Sequence, residues 1–507
     1  MTAQSSISRI LTSLGEDRRA LVAIDLGAES CRVSLLRWFG NTPDIQLLHR
    51  IVNGPVRIGE HLHWPLDRIL TGIEDGLRKA AEAAPEGIRS IAVDGWAVDY
   101  VRLNTQGNPY NPPFCYRDER NIRGKGAAEA IIPPEEMFYT TGAQPLSINT
   151  VYQLLADQNE SKNDGYDTGI IPNSPWLLLP EFVLHWLGAE RIAEYTNATH
   201  TGLVDLQTQT WSPELFTKLE LEISTAPEIV PAGTFLGNLS GPLAAIPSLS
   251  NTQLIAPACH DTASAIAAIT ADLSHSAYIV SGTWSLVGTV VDSPVNSIEA
   301  LNAGFTNQGA AAGGFCFHTN VNGMWILKQC LDHWDLDNRQ INLISLIELA
   351  SQVTEIPGII PVDASPLMLA GLQSDPMPAR INVQLAALGL QTIPDVPGNE
   401  CIFAHVIFSS LASKYASVLK NLATLTGRQF TGITILGGGS RNSLLSRLTE
   451  QSTGLPVSAG EAEGSTLGNF SVQLAALSSP QTRGHKLSSD LVRSWATFLS
   501  TKPLSGS

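Results

Sequence analysis

Residues 20–26, ALVAIDL, form an apolar run that ends on Asp25-Leu26-Gly27, and the next run, AESCRVSLLRW, carries strand alternation at Arg32, Ser34 and Leu36. This pattern predicts a buried β-strand, a tight glycine turn and a second strand. Residues 63–84 change period: Leu66, Ile69, Ile73 and Leu77 fall on one face of a helix. SIAVDGWAVDYVRLN reads as a strand pair interrupted by Gly95, and QGNPYNPP as a polar turn. Helical character is expected over 174–190 and 342–356, and a long amphipathic helix over 401–426. ITILGGGSRNSLLSRLTEQSTG reads as strand, glycine loop and helix. SAYIVSGTWSLVGTVVD, from residue 276, repeats the opening theme of strand, glycine turn with hydroxyls, and strand. Alternating strands and helices with such an echo predict an α/β protein of two related halves. The border is expected in the small-residue stretch Ala256–Ser276.

Composition narrows the function classes. A chain of 507 residues, 43% hydrophobic and 15% charged, is long for one core and suits two domains. Its net charge of −16 and the lack of a dense Lys/Arg cluster argue against nucleic acid or an anionic membrane as partner. A polyanion such as ATP remains possible if backbone N–H groups and a metal ion hold its phosphates. Six scattered cysteines, with no C-x-x-C pair, fit a reducing compartment. The opening residues lack the apolar core of a signal peptide, and Trp176–Ala189, the most apolar stretch by this reading, is too short to span a bilayer. The expectation is a cytoplasmic protein, monomeric or homodimeric.

Candidate chemistry sits at the turns. Asp25 leaves a buried strand beside Gly27, where backbone can approach a ligand closely, with Ser30 and Arg32 as nearby donors. Ser281-Gly282-Thr283-Trp284-Ser285 exposes hydroxyls and N–H groups in a short arc suited to phosphate. Gly437-Gly438-Gly439 offers a flat backbone surface before a helix that starts near Asn442. Taken singly, each is also ordinary turn chemistry. Asp261, in Cys259-His260-Asp261-Thr262, reads both as a helix N-cap and as a carboxylate able to take a proton from a hydroxyl nucleophile. Asp94 and Asp99 flank Trp96 and Ala97, which suits a sugar: the indole covers C–H faces and the acids take hydroxyls. Tyr116–Arg120 is either a polar rim or a solvated charge run.

Together these segments resemble the FGGY family of carbohydrate kinases, most closely its rhamnulokinase branch. The resemblance covers roughly residues 20–480, in order: DLGAESCR, GWAVDYVRLNTQG, PPFCYRDER, TGAQPLSINTVYQL, EYTNATHTGLVDL, PACHDTASA, SGTWSLVG, LGGGSRN and EGSTLGN. It implies two ribonuclease-H-like domains of the actin/hexokinase type, at 20–265 and 266–485, with a catalytic cleft between them and terminal extensions at 1–19 and 486–507. It implies ATP and Mg²⁺ as cofactors and a small sugar as substrate, with L-rhamnulose giving L-rhamnulose 1-phosphate. L-fuculose- or L-xylulose-type kinases, or an actin-like ATPase without sugar transfer, are the alternatives. Ala28, Glu29, Ser30, Cys31 and Arg32 would line the phosphates, and Gly282 and Thr283 would do so from the second hairpin. Gly437, Gly438, Gly439 and Asn442 would form the nucleoside side. Asp94, Trp96, Ala97, Asp99, His260, Thr262 and Asn320 would meet the sugar. Asp261 would be the general base, and Asp25 and Asp261 would hold the metal. The chain departs from the branch at Ala97, which stands for a glycine at the sugar, at Cys31, at Asn322 and at Lys328, which stands for a glutamine.

Overall fold

The computed structural model describes residues 11–162, 171, 173–368, 375–480 and 482–500. Residues 1–10 and 501–507 of the two terminal extensions lie outside the described residues. The apolar run at the start becomes the strand Ala20–Leu26, every residue of it buried. It pairs antiparallel with Ser30–Phe39 and parallel with Ile88–Gly95. Thr42–Val52 extends one side of this six-stranded sheet, and Gln253–Ile255 and Phe235–Asn238 the other. The second half repeats the scheme: Ser276–Ser281 pairs antiparallel with Trp284–Val291 and parallel with Gly432–Leu436. Phe315–Asn322 and Phe305–Gly309 lie beyond the hairpin, and Val457–Ala459 beyond the parallel strand. The echo near residues 20 and 276 is therefore a repeat of structure, two α/β halves each built on a central hairpin.

The helix Leu66–Ala83 forms as its periodicity predicts, with Leu66, Ile69, Ile73 and Leu77 buried. Its Gly72 and Gly76 let Ile51 and Val33 pack where a Cβ would stand, so helix and sheet approach closely. Residues 174–190 are not one helix: Trp176–Leu178 is a strand, and Leu179–Trp186 the helix after it. Pro180 explains the boundary, since it suits the first turn of a helix and no later position. Nor do the strands around Gly95 pair with each other. Gly95 ends one strand, and Tyr100–Arg102 pairs instead with Trp176–Leu178. The helix Glu400–Thr426 is long and apolar enough to cross a membrane, a property the sequence reading assigned to no segment, but 67% of its apolar window is buried inside the protein. It is the central helix of the second half, with Phe403, Ile407, Leu411 and Tyr415 in the core.

The two halves are joined by the helix Gly464–Leu477, in which only Ser465 escapes full burial. Its apolar residues Leu467, Phe470 and Leu474 share a core with Leu21, Ala23 and Trp38 of the first sheet. The following helix, Ser489–Ser500, closes that core, with Phe498 stacked on Trp38 and Trp495 edge-on to it. Gly468 faces the helix Asp261–Ala267 so closely that a Cβ would sit 1.7 Å from the Ser264 carbonyl oxygen. Gly468→Ala must force the two helices apart, an overpacking cost of about 1–3 kcal/mol. Thermal denaturation should show a lower Tm for this variant; an unchanged Tm would mean that the helices do not depend on this contact.

Candidate active site

The helix Gly464–Leu477 presents a polar stripe to the first sheet. Ser465 donates to Asp25 at 2.7 Å, Asn469 donates to Asp94 at 2.8 Å, and Gln473 donates to the Val22 carbonyl at 3.0 Å and accepts from Ser90 at 2.6 Å. These three residues, at i, i+4 and i+8, set the bottom of the site. The resemblance alone had assigned roles to none of them, although a polar stripe in a wholly buried helix is a readable signal. Above it, parallel register sets Asp25 beside Asp94, and antiparallel register sets it opposite Arg32. The guanidinium of Arg32 donates to Asp25 at 3.0 Å and lies 3.6 Å from Glu463. Burial pushes the carboxyl of Asp25 up despite Arg32, with Asp261 adding repulsion. Asp94 is driven well above the ordinary range, by burial first and by Asp25 next. Its Oδ1 has no hydrogen-bond partner.

Asp261 opens the helix Asp261–Ala267 as its first residue, and His260 occupies the cap position. The expected N-cap role of Asp261 is thus corrected: its side chain receives Thr262 Oγ1 at 3.2 Å and lies 3.3 Å from His260 Nε2. Its carboxyl, about a third exposed, is raised by burial. The His260 ring is driven down to about 3 by burial and is therefore neutral. The loop is tied to the sheet by Gly95 N–H, which donates to the Cys259 carbonyl at 2.9 Å.

Asp25, Gly27, Arg32, Asp261 and Thr262 line a cleft of about 990 Å³. Facing them are Gly282, Thr283, Gly437, Gly438, Gly439 and Asn442 from the second half. The three glycines divide their work. A Cβ at Gly437 or Gly439 would strike Ser281, at 2.8 Å and 2.1 Å, whereas one at Gly438 meets nothing within 4 Å. The outer two let the glycine loop press against the second hairpin, and the middle one faces open space. Asn442 caps the helix Ser443–Thr453 by accepting from Leu445 N–H at 3.0 Å. Lys328 stands in the wall, 2.8 Å from Asp332. Met324, Leu327, Leu331, Leu343, Ile344 and Ile347 add an apolar wall, with Ile344 70% exposed. Sequence reading missed this wall because helical periodicity cannot separate a core-facing stripe from a cleft-facing one.

Other expected contacts fall elsewhere. Cys31 points into the first core and its thiol bonds the Gly27 carbonyl, so its side chain lies outside the cleft wall. Ala28, Glu29 and Ser30 form the hairpin tip outside the cleft wall. Asp99 is not open to a sugar hydroxyl. It is fully buried and accepts from Trp64 at 2.5 Å, Trp96 at 2.9 Å, Gln153 at 3.0 Å and Tyr116 N–H at 3.3 Å. It holds two indoles whose centroids lie 4.4 Å apart. Val98, at φ 74°, turns the chain between Trp96 and Asp99, a strained conformation for a β-branched residue. Thr150 and Gln153 both donate to its carbonyl and hold it there. Trp96 and Ala97 are almost completely buried, and Asn320 is exposed on Phe315–Asn322, outside the wall of this cleft.

Comparison with known proteins decides the family. The N-terminal domain of the FGGY family of carbohydrate kinases matches residues 20–268, and its C-terminal domain matches residues 277–477. The chain belongs to the FGGY family of carbohydrate kinases. It is 31% identical over 451 residues to a rhamnulokinase of Bacteroides thetaiotaomicron, covering 89% of each chain. Its fold is that of a ligand-bound xylulose kinase from Lactobacillus acidophilus (TM-score 0.71, 15% identity, 95% and 96% of the chains). It is also that of Plasmodium falciparum glycerol kinase with ADP (TM-score 0.70, 13% identity, 89% and 88%). The FGGY chain is an ATP-dependent sugar kinase with the actin/hexokinase-type architecture. The open face at Gly438 yields a direct expectation for such a kinase. Gly438→Ala should leave Tm unchanged and raise KM for ATP, measured by calorimetry and steady-state kinetics; a fall in Tm with no change in KM would assign the glycine to packing.

Proposed function

We propose that this kinase transfers the γ-phosphoryl group of ATP to the C1 hydroxyl of L-rhamnulose, with Asp261 as general base. The observation that carries this reading is the position of Asp261, in one cleft with Gly282, Thr283 and the Gly437–Gly439 loop. The rhamnulokinase relative supports the choice of sugar. In this reading the adenine lies between the open face of Gly438 and the apolar wall at Leu327, Ile344 and Ile347. The N–H groups and hydroxyl of Gly282-Thr283 meet phosphate oxygens, and Arg32 adds positive charge. Asp25 and Asp261 line the cleft beside one guanidinium, that of Arg32, and two oxygen-donor carboxylates suit a divalent cation that keeps part of its hydration shell. Asp25 and Asp261 would hold Mg²⁺, which when bound neutralises charge on the phosphates.

Asp261 accepts the proton of the acceptor hydroxyl as its oxygen bonds the γ-phosphorus. The bond to the β-phosphate oxygen breaks and ADP leaves. Thr262, next to the base, and the neutral His260 meet the sugar. The pair Trp64–Trp96, held by Asp99, forms a rigid backing for the sugar end, so Asp99 acts through the indoles. Ala97 adds a methyl where the branch has glycine and narrows that end.

Two measurements test the reading. Asp261→Asn should lower kcat by about 10²–10⁴-fold with folding intact. Across L-rhamnulose, L-fuculose, L-xylulose, D-xylulose, gluconate and glycerol, L-rhamnulose should give the highest kcat/KM for ADP release. Near-wild-type turnover by Asp261→Asn removes the base, and a better substrate in the panel removes L-rhamnulose.

A further inference from the structure

The segment Glu194–Thr201, EYTNATHT, has no part in the cleft wall, yet its side chains are nearly all buried and polar. Glu194, Thr196, Asn197 and Thr201 are each 0% exposed. Glu194 closes the strand Ile192–Glu194 and caps the short helix Tyr195–Ala198 by accepting from Thr196 N–H at 3.0 Å. Its other oxygen accepts from the Thr196 hydroxyl and, at 2.9 Å, from the backbone N–H of Cys259. The Thr196 hydroxyl in turn accepts from the backbone N–H of His260 at 3.3 Å. Two consecutive peptide groups just before Asp261 are thus held by side chains from one turn, 64 and 65 residues earlier in the chain.

The same turn reaches the second half. Thr199 accepts from Gly309 N–H at 2.8 Å, and His200 Nδ1 lies 3.0 Å from Gln308 Nε2. A Cβ at Gly309 would come within 2.7 Å of the Tyr195 ring, so the strand Phe305–Gly309 seats directly on this turn. The His200 ring also packs on His260, with centroids 3.9 Å apart. Glu181 backs the arrangement, accepting from Glu194 N–H at 3.0 Å and from Asn197 at 2.8 Å.

We propose that Glu194 and Thr196 are positioning residues for phosphoryl transfer: they hold the Cys259 and His260 peptides, aim Asp261 into the cleft, and register the base against the second half through Thr199 and His200. This rests on the reading of Asp261 as the base. Nothing in the turn touches the cleft, so it acts on the reaction only through the loop it holds. A catalytic group displaced by about 1 Å loses on the order of 10²-fold in rate, whereas a nucleotide site built from other segments is untouched.

The test compares Thr196→Val, which keeps the shape and removes the hydroxyl, with Thr196→Ser, which keeps the hydroxyl, and with Glu194→Gln and Asp261→Asn. Steady-state kinetics and thermal denaturation are run on each full-length protein. Thr196→Val and Glu194→Gln should lower kcat roughly 10- to 100-fold with KM for ATP unchanged, and Thr196→Ser should restore kcat. Wild-type kcat in a folded Thr196→Val overturns the proposal. So does a loss of kcat matched by a loss of folded protein that Thr196→Ser does not restore. If Asp261→Asn is inactive and Thr196→Val is not, the clamp alone fails. If Asp261→Asn is fully active, the base reading fails.

Discussion

Asp25, Asp94 and Asp261 are brought together by backbone pairing, and their separation is not theirs to adjust. Parallel register sets the first two side by side, and the Gly95–His260 bridge draws the third to the end of the same strand. Arg32 is the guanidinium bonded within this group. Burial raises all three carboxyls, and repulsion from neighbouring acids adds to it at Asp25 and Asp94, so ionising the whole group costs the folded protein free energy that one guanidinium does not offset. A hydrophobic arrangement of the same volume would be more stable. The cost makes sense for the proposed ligand, a polyphosphate whose accompanying cation would supply positive charge.

Much of the remaining structure holds that arrangement against its own repulsion. The stripe Ser465, Asn469 and Gln473 runs along the strands Ala20–Leu26 and Ile88–Gly95, and Ser465 reaches Asp25 over 440 residues of sequence. Gly468 brings the same helix onto the helix that begins with Asp261. One helix therefore contacts all three acids or the elements that carry them. It belongs to the second half and packs on the first, so the polar contacts beneath the site are made across the two halves.

The sequence revealed the elements better than their facing. Leu66, Ile69, Ile73 and Leu77 announce their helix because periodicity and burial coincide there. The two hairpins were visible because each ends a buried strand on a glycine turn, and their structural repeat follows from the same local code. Asp99 was misjudged because two acids around a tryptophan look equivalent along the chain. The positive φ of Val98 turns Asp99 inward to two indoles, and no propensity scale encodes such a strained residue. Gly437 and Gly439 line the cleft with Gly438, but what requires a glycine at each is Ser281, over 150 positions earlier. Long-range packing also decided Cys31, which occupies the first core. What was legible was chemistry at strand ends; what was not was which neighbour each side chain turns toward.

The claim that the carboxylate excess is reserved for a charged ligand is tested most directly by the thermal stability of Asp94→Asn, with and without Mg·ATP. Asparagine keeps the bond to Asn469 and replaces the unpartnered oxygen with a donor toward the remaining acids. The ligand-free variant should melt above the wild type, and Mg·ATP should raise its Tm less than it raises that of the wild type. A variant that melts at or below the wild type and gains the same shift from Mg·ATP would contradict the account.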